Sequence, residues 1–161
     1  MTPQPPQLPI RNFQAVTDWL YRGGQPEKAG LQRLSELGVK TIISLRSGRV
    51  STRAEAQFAE SLGMQLIHMP ITYFNLPDAD FINKFLQLLD NPDKRPIFVH
   101  CLHGADRTGY LIAVFRITRM NWTVQQAYNE MKSCGFHRFR LRHFKWELWD
   151  YARRIQQEAE G

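Results

Sequence analysis

The segment PIFVHCLHGADRTGYLIAVFRITRM, residues 96–120, limits the possible folds more than any other part of the chain. It opens with a short apolar run, PIFVH (96–100), which has the pattern of a buried strand. From Arg107 to Met120 the residues are apolar on nearly every side of a helix, so that helix must be buried too. A buried strand leading into a buried helix belongs in a parallel sheet covered by helices.

The rest of the chain repeats this alternation. WLYRG (19–23) predicts a strand, followed by a helix with Ala29, Leu31, Leu34 and Leu37 on one face, Pro26 at its start and Gly38 at its end. VKTIISLR (39–46) predicts a buried strand, Ser51 is placed to cap a helix over 52–62 that Gly63 ends, and MQLIHMPI (64–71) predicts the next strand. Beyond the loop TYFNLP (72–77), Phe81, Ile82, Phe85, Leu86 and Leu89 share a helical stripe that Pro92 stops. Thr123 and Gln126 match a capping box for a helix over 124–133, ended by Gly135. A last amphipathic helix takes in Leu141, Phe144, Leu148, Trp149, Ala152 and Ile155. The expected fold is α/β, a largely parallel four- to five-stranded sheet flanked by helices. Ligands of such sheets bind at the C-terminal ends of strands, and HCLHGADRTG (100–109) falls there.

No repeat or inner linker divides the 161 residues, so a single domain is expected over 11–161, after a proline-rich flexible arm over 1–10. No run approaches the about 18 apolar residues of a membrane span. The start has no secretory apolar core, so a cytoplasmic protein is expected, or a periplasmic or secreted one if a leader has been removed. Two cysteines are too few for a disulfide framework. The net charge of +6 favours anionic partners in general, and the basic run HRFRLRHFK (137–145) reads equally well as a solvated helix face. No nucleic-acid partner is expected, and the chain is expected to be a monomer.

The junction carries the chemistry. A loop running from a strand into a helix N-terminus can turn successive N–H groups inward as an anion-binding nest, and the helix dipole adds to it. Gly104 and Gly109 let the chain curl and approach a ligand closely. Arg107 offers a planar pair of donors to two phosphoryl oxygens. Cys101 lies at the mouth of this cradle, and a field that holds a dianion also stabilises a thiolate, so the residues read as a nucleophile aimed at phosphorus. His100 cannot share the cysteine's face of the strand and is expected to hydrogen-bond the backbone and hold the loop. Thr108 can donate its hydroxyl to the departing sulfur.

Each assignment has a plainer competitor. Cys101 could be a small buried apolar residue, although such cysteines are not normally followed by turn glycines and an arginine. His100, Cys101 and His103 could be metal ligands, but Cys-x-His is tighter than the usual zinc spacings, so no metal is expected. His103 is otherwise a loop residue in solvent or at the rim. Cys134 reads as a helix-end packing residue, with a resolving thiol as its other possible role.

HCLHGADRTG fills every specified position of HC-x-x-G-x-x-R-[ST]-G and so resembles the signature of the cysteine-dependent protein tyrosine phosphatase superfamily. LYRGGQP, VKTIISLR, Glu130-Met131 and Cys134-Gly135-Phe136 are similar to small atypical dual-specificity phosphatases of bacterial type, so the resemblance extends over 10–155. It implies a protein tyrosine phosphatase-like fold, no cofactor, and hydrolysis of phosphomonoesters through a phosphocysteine. The substrate would be phosphotyrosine, with phosphoserine and phosphothreonine as further options, in a phosphorylated protein, or a small phosphomonoester. Cys101 would be the nucleophile, Arg107 would bind the phosphate and its transition state, and Thr108 would assist dephosphorylation. The amides of Leu102, His103, Gly104, Ala105, Asp106 and Arg107 would form the cradle.

The general acid departs from that pattern. Many members place an aspartate on a separate loop beside tryptophan and proline, whereas TYFNLPDAD has no tryptophan and Asp78 competes as a helix N-cap. Asp106 resembles the in-loop aspartate of myotubularin phosphatases and is the expected acid, ahead of Asp78 and then Asp80. Its competing role is a salt bridge or backbone bond that shapes the loop. A phosphoinositide or inositol phosphate phosphatase is the alternative substrate class. No lysine within the loop supports it, but Arg138, Arg140 and Arg142 are near enough in sequence to reach the rim. From another class, a phosphate-binding pseudophosphatase has no need of the intact Cys101, Arg107 and Thr108. A rhodanese-like sulfurtransferase or an arsenate reductase fits the motif's ends poorly.

Overall fold

In the computed structural model, which describes residues 7–161, strand parity sorts the side chains between two apolar clusters. Successive residues of a strand face opposite sides. All four residues of β5 (Ile97–His100) are buried, with Ile97 and Val99 in one cluster and Phe98 in the other. β3 (Thr41–Ser44) divides in the same way, Ile43 to the first and Ile42 to the second. The first cluster is built on α3 (Ala79–Asp90), α4 (Arg107–Arg119), α5 (Val124–Ser133) and α6 (Arg142–Glu160). The second is built on α1 (Lys28–Glu36) and α2 (Arg49–Ser61).

The sheet has five strands in the order β1-β2-β5-β3-β4, where β1 is Gln14–Ala15, β2 Leu20–Gly23 and β4 Gln65–His68. All the pairs are parallel except β1 with β2. β5 comes last in the chain but lies in the middle, and His100 is in register with both Gly23 and Ser44. The loop leaving β5 is therefore flanked by the ends of two neighbouring strands. The largely parallel α/β sheet expected from the alternation is the fold observed.

The details differ in places. The ladders are shorter than the apolar runs because the extended chain continues beyond them with single bonds, such as Leu45 N–H to His100 O at 2.9 Å and Ile71 N–H to Leu45 O at 3.0 Å. β1 has only two residues, too few for a periodic signal. Ser51 does not cap α2. The helix starts directly after Gly48, whose carbonyl accepts both the N–H and the hydroxyl of Thr52, which places Ser51 inside the first turn. The capping box of α5 is formed, with Thr123 Oγ1 accepting from Gln126 N–H at 3.1 Å and Gln126 Oε1 from Thr123 N–H at 2.9 Å. Residues 1–6 of the expected arm lie outside the described residues. Its end is packed, since Ile10 is 7% exposed and joins Leu31 and Leu34 in the second cluster. Among the described residues no helix is long and apolar enough to cross a membrane.

Gly104 fixes how the loop after β5 meets β2. It has φ +71°, and a Cβ there would lie 2.4 Å from the carbonyl carbon of Gly23 and 2.6 Å from the nitrogen of Gly24. Gly63 also has positive φ, +84°, but nothing lies near its missing Cβ. Gly104→Ala is expected to destabilise the fold by roughly 2–5 kcal/mol, combining left-handed strain with overpacking, against about 1 kcal/mol for Gly63→Ala. Denaturant unfolding of the two variants checks this, and equal losses would mean that backbone contact at Gly104 does not matter.

Candidate active site

The loop between β5 and α4 is held by its carbonyls. Leu102 O accepts from Gln25 N–H at 3.0 Å, and Asp106 O accepts from Tyr110 N–H at 2.9 Å. Gly104 O accepts from Arg22 Nη2 at 2.9 Å and from Asn12 Nδ2 at 3.2 Å. Among the described residues, the N–H groups of Leu102 to Asp106 donate to no protein acceptor. With carbonyls tied outward and donors free at the start of a helix, the loop has the makings of an anion-binding nest. Arg22 is 1% exposed, and its Nε and Nη1 make no hydrogen bond among the described residues, so a cation is buried against this loop.

Parity continues into the loop. Cys101 is 1% exposed and joins the cluster of Ile97 and Val99. His100 faces the other side, stacked on Phe98 with ring centroids 5.6 Å apart. Its Nε2 donates to Glu55 Oε2 at 2.8 Å, and its Nδ1 lies 3.3 Å from the Cys101 carbonyl. Glu55, on α2 and 7% exposed, also accepts from the Gln25 side chain, whose Oε1 accepts from Arg46 Nη1 at 3.1 Å. Glu55 carries no sequence signal, because a glutamate inside an amphipathic helix reads as a surface residue.

Arg107 is 4% exposed and reaches across to the segment after β4. Its Nη1 donates to Ile71 O at 3.1 Å and its Nη2 to Tyr73 OH at 3.3 Å, with the guanidinium 4.5 Å from the Tyr73 ring centre. Its Nε and the Thr108 hydroxyl are buried without a protein partner among the described residues. Tyr73 was not singled out by sequence, where TYFNLP reads only as a loop. It lines a cavity of about 470 Å³ together with Leu102, His103, Asp106, His137 and Arg140.

The three aspartates part company here. Asp106 is 2% exposed, lines the cavity and accepts from His137 Nδ1 at 2.9 Å. Asp78 is exposed, and its Oδ1 caps α3 by accepting Phe81 N–H at 2.9 Å. Asp80 is exposed in the same first turn. Neither Asp78 nor Asp80 lines the cavity. His103 Nδ1 accepts from Arg11 Nη1 at 2.8 Å, and desolvation, then the Arg11 charge, hold its pKa below the usual histidine value. In the basic run, His137, Arg140 and His143 are exposed and also line the cavity, and His143 Nε2 donates to Tyr73 O at 2.8 Å. Of the arginines expected near the rim, Arg140 is there, while Arg138 lies over Phe139. Cys134 caps the end of α5 and is buried. Among the described residues no three His, Cys, Asp or Glu side chains group to hold a metal ion.

Glu55→Ala removes the acceptor of a fully buried imidazole. It is expected to cost about 2 kcal/mol, the value of a hydrogen bond to a charged group whose partner is left buried. The shift in denaturant midpoint measures it, and a loss below about 0.5 kcal/mol would mean that the pair does not hold His100.

Residues 5–147 match a protein-family model described as the DSP-PTPase phosphatase fused to NAD+ kinase. Dual specificity protein phosphatase TpbA of Pseudomonas aeruginosa is 28% identical over 128 residues, covering 80% of this chain but 56% of that protein. The chain thus spans little more than half of that relative's length. Inositol diphosphatase DSP4 of Arabidopsis thaliana is 28% identical over 151 residues, 90% of this chain and 75% of that one. Among solved structures, the core catalytic domain of the PP-IP phosphatase SIW14 from S. cerevisiae superposes with a TM-score of 0.77 at 26% identity, covering 95% of each chain. With the signature loop, the sheet that carries it and the match over 5–147 in agreement, the chain belongs to the DSP-PTPase family of phosphatase domains.

Proposed function

We propose that the chain hydrolyses phosphomonoesters through a phosphocysteine formed on Cys101. The observation that carries this reading is the set of unused donors in the loop that follows Cys101 and at the start of α4. The N–H groups of Leu102 to Asp106, Arg107 Nε and the Thr108 hydroxyl have no protein acceptor among the described residues. Arg107 Nε and the Thr108 hydroxyl are buried, an unpaired buried donor costs about 1–3 kcal/mol, and one phosphoryl group supplies acceptors for these and for the loop amides together. The amides and Arg107 then meet the charge that builds on the equatorial oxygens in the transition state. Thr108, in the first turn of α4, would donate its free hydroxyl to sulfur when water displaces it. Family membership supports the reaction class, because Cys101, Arg107 and Thr108 occupy the signature positions.

The substrate we favour is a phosphorylated protein side chain, phosphotyrosine first, which the resemblance to TpbA supports. An inositol phosphate is the second reading. It is supported by the resemblance to DSP4 and by Arg140, His137 and His143 on the cavity wall, where a second phosphate could sit. A domain that only binds phosphate would have no use for the thiol.

The wild-type chain should turn over an aryl phosphate in the presence of chelator and be inhibited by vanadate, which mimics the transition state. Cys101→Ser should lose at least about 10³-fold in kcat. Turnover that persists in Cys101→Ser, or that chelator stops and a divalent ion restores, contradicts the reading. A panel of phosphopeptides and inositol phosphates separates the two substrate classes, and kcat/KM higher for the inositol phosphates would overturn our preference.

A further inference from the structure

Asp106 stands directly before Arg107, yet its buried carboxylate is occupied by one residue from far along the chain. Oδ1 accepts the backbone N–H of His137 at 2.9 Å, and Oδ2 accepts Nδ1–H of the same residue at 2.9 Å. Both the position of His137 and the turn of its ring are thereby fixed. Because the carboxylate takes the Nδ1 proton, Nε2 is the nitrogen left to exchange one. Among the described residues Nε2 has no hydrogen-bond partner, and the side chain is 48% exposed on the cavity wall. Its ring centre is 6.5 Å from that of His103, which belongs to the cradle loop itself.

We propose that His137, oriented by Asp106, exchanges the leaving-group proton, with His137 the catalytic residue and Asp106 the positioning one. This rests on the phosphocysteine reading. In the first step Cys101 Sγ forms a bond to phosphorus, the bond to the leaving oxygen breaks, and that oxygen takes the proton from His137 Nε2. In the second step a water oxygen bonds to phosphorus, its proton passes to Nε2, and the sulfur leaves as thiolate. The cycle returns both residues to their starting state and releases an alcohol and inorganic phosphate.

The neighbouring candidates are committed elsewhere. His103 holds the Arg11 N–H on its Nδ1, and burial together with that guanidinium disfavours the protonated ring a donor needs. His143 spends its Nε2–H on the Tyr73 carbonyl and has no carboxylate partner among the described residues. Asp78 is engaged as the cap of α3. Asp106 itself has its carboxylate turned to His137.

The test compares p-nitrophenyl phosphate, whose leaving group needs no proton, with phenyl phosphate, whose leaving group does. His137→Gln should lose about 100-fold in kcat/KM on phenyl phosphate and less than about fivefold on p-nitrophenyl phosphate, within the range of general acid catalysis, because kcat/KM reports the first step and not the hydrolysis both substrates share. Asp106→Asn should show the same selectivity, and the double variant should be no worse than His137→Gln, because the two act as one unit. Free imidazole should restore part of the phenyl phosphate rate to His137→Ala but not to Asp78→Asn. Retained p-nitrophenyl phosphate turnover shows that the variants are folded. Selectivity in Asp106→Asn without any in His137→Gln would make Asp106 the donor and overturn the proposal, as would selectivity confined to Asp78→Asn or equal loss on both substrates. A wild-type chain that turns over neither substrate overturns the phosphocysteine reading itself, a result distinct from all of these.

Discussion

The architecture of the site depends on a backbone contact with no side chain between its partners. Gly104, in a left-handed conformation, rests on the Gly23–Gly24 peptide at the end of β2. Because the two backbones touch, Arg22 and Asn12 can both reach the Gly104 carbonyl. Pulling that carbonyl outward leaves the neighbouring N–H groups facing the other way, at the point where α4 begins. The central position of β5 makes the contact possible, since its parallel register brings Gly23 level with His100. The shape of the loop is thus the outcome of strand order, one positive φ and two donors.

The two apolar clusters divide the labour around that loop. On the side of α2, the His100–Glu55–Gln25–Arg46 chain ties the loop's first residue to the helix layer with buried polar bonds. On the other side, Cys101 sits among apolar neighbours that also bury α4. A buried imidazole is tolerable because both its nitrogens have acceptors within reach. Cys101 therefore follows directly on a buried strand end, and the groups facing the cavity come from the more exposed segments at 73 and 137–143.

Much of this could be read in the residues, and the limits have physical causes. PIFVH and VKTIISLR announced buried strands because alternation does not matter when both faces are covered, and α4 announced itself by having no polar side. Cys101, Arg107 and Thr108 were legible because their spacing spans one short local loop. Glu55, Arg22, Tyr73 and His137 were not, since each joins the loop through the tertiary fold. A glutamate on a helix or an arginine in a strand carries no mark of the partner it will meet. Ser51 misled because a serine directly before an expected helix at 52 looks like a cap, and the chain had already turned at Gly48. In the basic run, His137 and Arg140 before α6 and His143 within it line the cavity, a pairing across the start of the helix at Arg142 that no local pattern announces.

The central claim is that Cys101 takes the phosphoryl group as a covalent adduct within this cradle. Rapid acid quench during turnover of an aryl phosphate, followed by mass spectrometry of the peptides, tests it most directly. The account predicts a phosphoryl group on the peptide that contains Cys101, accumulating further in Thr108→Ala, where the sulfur leaves without its donor. Turnover with no adduct on that peptide, or an adduct on a histidine instead, would contradict it.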